Sequence, residues 1–595
     1  MTNYENFYSG TASTFQPEYS ELFTGYSLAK KIGVPTSTQT ANQIDEVNKL
    51  LNQGMKTIEL SALSPDIFET IPNEHLKDIN RLSKLTGNEM TVHGPMIDPS
   101  GFAKEGWSPY EREEAERRLT DSVIRAHELN PEGNIPVVIH ASSLPAGEVK
   151  KGEMLVAVNQ ETGQLIPLRK ETRYYPEGEK EYTPEDELRM INKTQWTDHI
   201  SNLLYYQRYG DEEREKAKAH LAPFQEQEMR TGRKIDPKEL TIDERKLLET
   251  GEIHQERAQA FYDDVDKKFS GLFHQAWKYG VEEERKDLPE EIREKVRREI
   301  KGKLEEIQKK WKDAHSADPE IRAKIYNDSI SKLREIPIAP QLYKPVEEFA
   351  LEHSAKTIGN VAFAGYEKFK NTAPIVAVEN MFPNMAFSSA EQLSRLINES
   401  RKVFVKDAID KGISISEAEE QAEKLIGATW DIGHLNMLKK GYPEKDAEKM
   451  MISQTKEIAP LVKHVHVSDN FGHADTHLPP GMGTVPVKKL MEEMEKKGFS
   501  GKQIMEATGF VQHFKVTPYP YILEAMNSPL YTMQASPTWA QARTLYGAYY
   551  FSGYGPTLPE QHFGMYGGGF SALPTELGGQ IQGTAGKRFA GTPME

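Results

Sequence analysis

Short apolar runs alternate with amphipathic stretches from about residue 25 to 145, and the same alternation resumes near Pro345. In the first segment the β-type runs are GVPTS from Gly33, TIELSA from Thr57, MTVHGP from Met90 and IPVVIHAS from Ile135. Helical periods separate them: IDEVNKLLNQG from Ile44, a stretch from Glu74 to Leu85, and a charged one from Pro109 to Leu129. The second segment gives PIVAVENM from Pro374, GATWDIGH from Gly427, VKHVHVSDN from Val462 and KQIMEATG from Lys502, again with helical connectors. Each run is short and apolar, as strands covered on both faces should be. Eight βα units predict an α/β fold, a TIM (β/α)8 barrel, with an open doubly wound sheet as the alternative.

The two barrel segments, 25–143 and 342–510, are separated by a region of different character, 144–341. It is dense in charge, with stretches such as PEEIREKVRREIKGKLEEIQKKWKDA that read as solvated helix faces or an antiparallel helical hairpin. Its start, EMLVAVNQETGQLIPLRKETRYY, predicts a β-hairpin turning at Glu161-Thr162-Gly163. The region follows the fourth strand, and loops after strands form the catalytic face of a barrel. A large, mostly helical insertion is therefore expected beside or over the active site, as a lid, a substrate-binding arm or an oligomerisation arm. The last segment, 511–595, is Gly- and Tyr-rich (YGAYYFSGYG, FGMYGGGF) and predicts an extension that wraps the barrel or a partner.

Composition narrows the chemistry. No apolar run approaches the roughly 18 residues of a membrane span and the N-terminus lacks a signal pattern, so a cytoplasmic protein without a membrane partner is expected. The 595 residues include no cysteine, which excludes disulfides, thiolate zinc sites, iron–sulfur clusters and cysteine nucleophiles. A formal charge of -16 disfavours broad nonspecific binding to nucleic acid.

The strand ends carry the candidate chemistry. His93 closes the third run, His140 the fourth, Glu379 the fifth, Asp431 and His434 the sixth, His466 the seventh and Glu506 the eighth. Asp475 and His477 follow in HADTHLPPGMG, the loop after the seventh. In a barrel these nine imidazoles and carboxylates converge on one face, and burying them uncompensated costs several kcal/mol each. Divalent cations resolve that cost, and an imidazole and carboxylate set without thiolate suits zinc, manganese or iron rather than calcium. His464, His473 and Asp469 lie in the same segment. His464 shares a strand face with His466 by the period of two, so one of the pair is a candidate to support the other. His199, His220, His254, His274 and His315, scattered through the insertion, read as surface residues.

These motifs resemble the xylose isomerase-like TIM-barrel superfamily and, within it, endonuclease IV (AP endonuclease family 2); the resemblance covers the barrel segments only. It implies up to three zinc ions. His93, His140 and Glu379 would hold one, Glu379 bridging to a second held by Asp431, His466 and Glu506, and His434, Asp475 and His477 would hold a third. The implied activity is metal-assisted phosphodiester hydrolysis on abasic-site DNA, with Glu379 also orienting the attacking water. Met96 and Ile97 stand where that family places a DNA-penetrating Tyr and Leu. The alternative within the superfamily is a sugar or sugar-phosphate isomerase or epimerase. There Glu379, Asp431, His466 and Glu506 would hold one manganese or other divalent ion, and Glu379 and Glu506 would move a proton beside a carbonyl of a small sugar. A third reading is a barrel scaffold whose insertion and tail bind a protein partner or a second copy.

Overall fold

The computed structural model describes residues 32–52, 55–103, 106–145, 153–283, 285, 288–314 and 319–507, together with a short pairing of Arg588–Phe589 with Thr592–Pro593. Residues 25–31, nearly all of the predicted tail and His315 lie outside the described residues. Two compact units separate, one formed by residues 1–149 with 346–595 and the other by Lys150–Pro345.

Eight parallel strands close the first unit into a barrel: β1 (Ile32–Pro35), β2 (Thr57–Ser61), β3 (Glu89–His93), β4 (Pro136–His140), β5 (Ile375–Glu379), β6 (Ile426–Asp431), β7 (Val462–His466) and β8 (Lys502–Ile504). Each pairs with its sequence neighbours, and β8 returns to β1 through Ile32 opposite Gln503 and Gly33 opposite Ile504. All five residues of β2 and all six of β6 are buried, which is why the runs read as apolar blocks and not as alternating ones. The connectors are helices that begin and end on ordinary signals. Ser108 caps Pro109–Ala126 by accepting from Glu111 N, Ser389 and Gln392 form a reciprocal capping box on Ala390–Asp410, and Gly87 ends Asn73–Thr86 in the left-handed region at φ 65°. Among the described residues no helix is long and apolar enough to cross a membrane.

The second unit is built from a three-stranded antiparallel sheet and long helices. Met154–Asn159 pairs with Leu165–Arg169 across a turn in which Gly163 takes φ 69°, and Tyr343–Pro345 adds to the other edge. A second hairpin joins Glu171–Tyr175 to Gly178–Tyr182. Four helices follow, Pro184–Thr231, Ile242–Trp277, Glu290–Ala314 and Pro319–Arg334. Their apolar faces meet in a core that includes Trp196, Leu203, Val265, Phe269, Leu304, Tyr326 and Ile330. The helical region therefore has a hydrophobic core of its own. His274 is exposed, whereas His199, His220 and His254 are half-buried, His254 with Nδ1 2.6 Å from Glu213 Oε2, so among the described residues the surface reading holds only for His274.

Closure of the barrel depends on a missing side chain. A Cβ on Gly33 would stand 2.6 Å from Ile504 Cδ1 and 2.7 Å from Thr57 Cβ, so β1 can lie between β2 and β8 only without one. Gly33→Val should cost about 1–3 kcal/mol through overpacking, read as a lower thermal midpoint of the barrel unit. An unchanged midpoint would show that the seam relaxes freely.

Candidate metal centre

The C-terminal ends of the strands bring the ionisable groups together at the barrel mouth. His93 ends β3, His140 ends β4, Glu379 ends β5, Asp431 ends β6 and His466 ends β7, while Glu506 follows β8 by two residues. Glu379 sits at the centre. Its Oε2 lies 3.1 Å from His140 Nε2 and 3.5 Å from His93 Nε2, and its Oε1 lies 2.9 Å from His466 Nδ1. Glu506 closes the ring, 3.5 Å from His466 Nδ1, 3.9 Å from His93 Nε2 and 3.6 Å from His477 Nδ1.

Local structure aims these side chains. Asp431 caps the short helix Ile432–Met437, its Oδ1 accepting from the backbone N–H groups of Gly433 and His434 at 2.6 and 2.8 Å. That turn sets His434, whose Nδ1 lies 2.9 Å from the carbonyl oxygen of Asn380 and whose Nε2 faces Asp475 Oδ2 at 3.5 Å. His93 is fixed in the same manner, with Nδ1 2.9 Å from the Gly94 carbonyl oxygen. In both rings Nδ1–H donates to a backbone carbonyl oxygen, so the neutral ring would present its Nε2 lone pair to the mouth. Asp475 and His477 come from the loop after β7, where they contact each other directly. Asp469 staples that loop: its carboxylate accepts from the backbone N–H groups of Gly481, Gly483, Val485 and Asn470 at 2.8–3.0 Å, and its backbone pairs with that of Leu478.

Among the described residues four groups at the mouth each bring ligand atoms within 4.8 Å of one another: His93, His140 and Glu379; His93, His466 and Glu506; Glu379, Asp431, His466 and Glu506; and His434, Asp475 and His477. All nine residues singled out in the sequence are thus gathered in one region. A further buried group, Glu59 with His464 and His466, lies within the barrel and contains a carboxylate the sequence reading passed over. Its signal was the acidic residue inside the apolar run TIELSA, whose side chain must point to one covered face or the other.

Electrostatics follow from burial and mutual contact. Burial opposes ionisation of Glu379, but His466 and His140 outweigh it and hold the carboxyl well below the usual range. Burial likewise disfavours the charged forms of His434 and His466, yet Asp431 at the first and Glu506 and Glu379 at the second raise both imidazoles well above their ordinary values. At Asp431 burial wins and the carboxyl is pushed up. Burial would lower His477, but Asp475 and Glu506 hold it up to about 9. The residues fit a divalent cation: donors are imidazole and carboxylate throughout, and Glu379 Oε2 and Asp475 Oδ1 are buried without a hydrogen-bond partner.

Residues 366–510 match the family model of the xylose isomerase-like TIM barrel. This part of the barrel is similar to that family. The matched segment contains Glu379 through Glu506, seven of the nine mouth residues, and His93 and His140 precede it. A curated relative, fructoselysine 3-epimerase of Shigella flexneri, is 33% identical over 94 residues, which is 16% of this chain and 29% of that protein. The solved structure of a D-tagatose 3-epimerase-like protein shares 13% identity, covering 85% of this chain and 100% of its own, with a TM-score of 0.35.

Two predictions follow from this geometry. Without metal, the charge on His477 contributes stability that is complete below its unfolded value near 6.5 and is lost as pH rises through about 9. A cation at the outer group would need the neutral ring, so one proton would compete with it and affinity there would rise by at most about tenfold per pH unit across that interval. Chelator-treated protein should therefore show a falling thermal midpoint between pH 6.5 and about 9, and His477→Gln should flatten that fall. A pH dependence of zinc affinity that is the same in His477→Gln would leave the outer group free of metal. Separately, Asp469→Asn sets an amide N–H against backbone donors and should cost about 1–3 kcal/mol. Hydrogen exchange should quicken across residues 470–485, and unchanged protection there would show that other contacts hold the loop.

Proposed function

We propose that the barrel mouth catalyses metal-dependent epimerisation or isomerisation of a small sugar-type substrate. The observation that carries this reading is the convergence of two glutamates, Glu379 and Glu506, on one buried group with Asp431 and His466. It is supported by the similarity of part of the chain to a sugar epimerase. Phosphodiester hydrolysis, which the resemblance to endonuclease IV led us to expect first, has no such support among these relatives. The acidic balance of the chain and the residues Met96 and Ile97 after HGP also count against it.

A divalent cation held by Glu379, Asp431, His466 and Glu506 would supply Lewis acidity to a substrate carbonyl and its neighbouring hydroxyl oxygen, acidifying the C–H between them. The carboxylate of one glutamate takes that proton and the other glutamate returns one. Return to the opposite face of the same carbon gives the epimer, and return to the adjacent carbon gives the isomer. His93 and His140 hold Glu379 from one side by their Nε2 atoms and orient its carboxylate for the transfer. His434, Asp475 and His477 lie on the other side of Glu506 and bind the remaining substrate hydroxyls. Their separate closure into a three-residue group is the observation that favours a second reading, hydrolysis of abasic-site DNA with three cations.

The deciding experiment incubates metal-reconstituted protein in D2O with a panel of ketoses, fructosamines and sugar phosphates and follows solvent deuterium by NMR. Deuterium should enter at one carbon beside the carbonyl. Glu379→Gln and Glu506→Gln should each slow that exchange by about a hundredfold or more. No exchange with any member, together with three zinc ions per chain and cleavage of abasic-site DNA, would replace this reading with the second.

A further inference from the structure

We propose that Glu59 is a positioning residue that fixes the tautomer of His466, holding the proton on Nε2 so that Nδ1 presents its lone pair to the metal group. This rests on the metal-dependent reading of the barrel mouth and adds a residue to it. The argument begins with an asymmetry among the mouth histidines. His93 and His434 each have Nδ1 against a backbone carbonyl oxygen and present Nε2 to the mouth. The His466 ring is reversed: Nδ1 lies 2.9 Å from Glu379 Oε1 and 3.5 Å from Glu506 Oε1, so its lone pair is the one a cation would need. Its Nε2 points down into the barrel, fully buried and without a hydrogen-bond partner. Glu59 Oε1, also buried and without a partner, faces that nitrogen at 3.5 Å.

The other oxygen of Glu59 is already engaged. Thr91 Oγ1 donates to Oε2 at 3.0 Å, and His464 Nε2 stands 3.3 Å from the same atom. These contacts orient the carboxylate and leave Oε1 free for His466. Neutral imidazole carries a single N–H, so an acceptor at Nε2 decides which nitrogen can ligate. Without that acceptor the proton can move to Nδ1 and donate to Glu379, which removes His466 from the group. The three residues Glu59, His464 and His466 also bring ligand atoms within 4.8 Å of one another. A cation there would compete for the Nε2 of His466 and would need that ring stripped of both protons. An N–H donated to a carboxylate needs only the neutral ring, and it makes His464 and Glu59 the support beneath the site.

The test measures zinc affinity of the full-length protein against a chromophoric chelator, together with the cobalt electronic spectrum, for wild type, Glu59→Gln and Glu59→Met. Gln keeps an acceptor oxygen, so it should weaken binding by about tenfold, whereas Met removes the acceptor and should weaken it by about a hundredfold. Met also leaves Thr91 Oγ1 without its acceptor and removes one carboxylate facing His466, so its metal-free thermal midpoint should fall while its loss of affinity still exceeds that of Gln. The cobalt spectrum should shift most in Glu59→Met. Unchanged affinity in both variants overturns the proposal. Equal losses that track a fall in midpoint, or failure of both variants to fold, assign Glu59 to packing and also overturn it. Sugar exchange is scored separately. Glu59-dependent affinity without exchange defeats the epimerase reading alone, and exchange with Glu59-independent affinity defeats this proposal alone.

Discussion

Glu379 accepts contacts from three histidines while nearly completely buried, and the rest of the mouth is arranged around that burden. A carboxylate removed from water is stable only when its surroundings replace the lost hydration. Here the replacement comes from the imidazoles that end β3, β4 and β7. The His93 and His466 imidazoles are in turn held up against burial by Glu379 and Glu506, so these members of the cluster cannot be changed without altering the charge of their neighbours.

The barrel makes this arrangement affordable in geometric terms, because parallel strands point all their C-terminal residues to one end. Side chains far apart in sequence, such as His93 and Glu506, then meet without any loop having to carry them there. The residues that do come from a loop, Asp475 and His477, need a separate device, and the buried carboxylate of Asp469 provides it by gathering four backbone N–H groups. Rigid strand ends and one stapled loop thus position a single charged cluster, which is what a reaction requiring fixed general acids and bases demands.

Much of this was legible in the sequence, for reasons that can be stated residue by residue. The strands could be read because strands buried on both faces leave unbroken apolar runs, as in Val376–Val378 of β5 and Val137–Ile139 of β4. The mouth residues could be read because a polar group ending such a run must lie at the end of a strand. Glu59 was missed because it lies inside a run and not at its end, and a period of two does not say which covered face holds a charged side chain. Asp469 was noted beside the candidate ligands without a role, because its real partners are backbone N–H groups, which leave no trace in side-chain identity. The reversal of the His466 ring was equally hidden, since it depends on which nitrogen meets an acceptor.

The choice between a hydrolase and an epimerase turns on features that the list of ligands does not contain. Glu379, Asp431, His466 and Glu506 can serve either chemistry, since both need a cation and well-placed carboxylates. What separates them is whether His434, Asp475 and His477 hold another cation or hold substrate. Asp475 and His477 are already in direct contact, and each also faces a further mouth residue, His434 for the first and Glu506 for the second. With a cation there, the lone pairs of His434 and His477 are spent on the metal. With a substrate hydroxyl there, the His477 ring, held up to about 9, donates to it. The epimerase reading therefore requires the outer histidines to remain free of metal while the inner group is filled, and it is this difference in occupancy between two adjoining groups that decides the reaction.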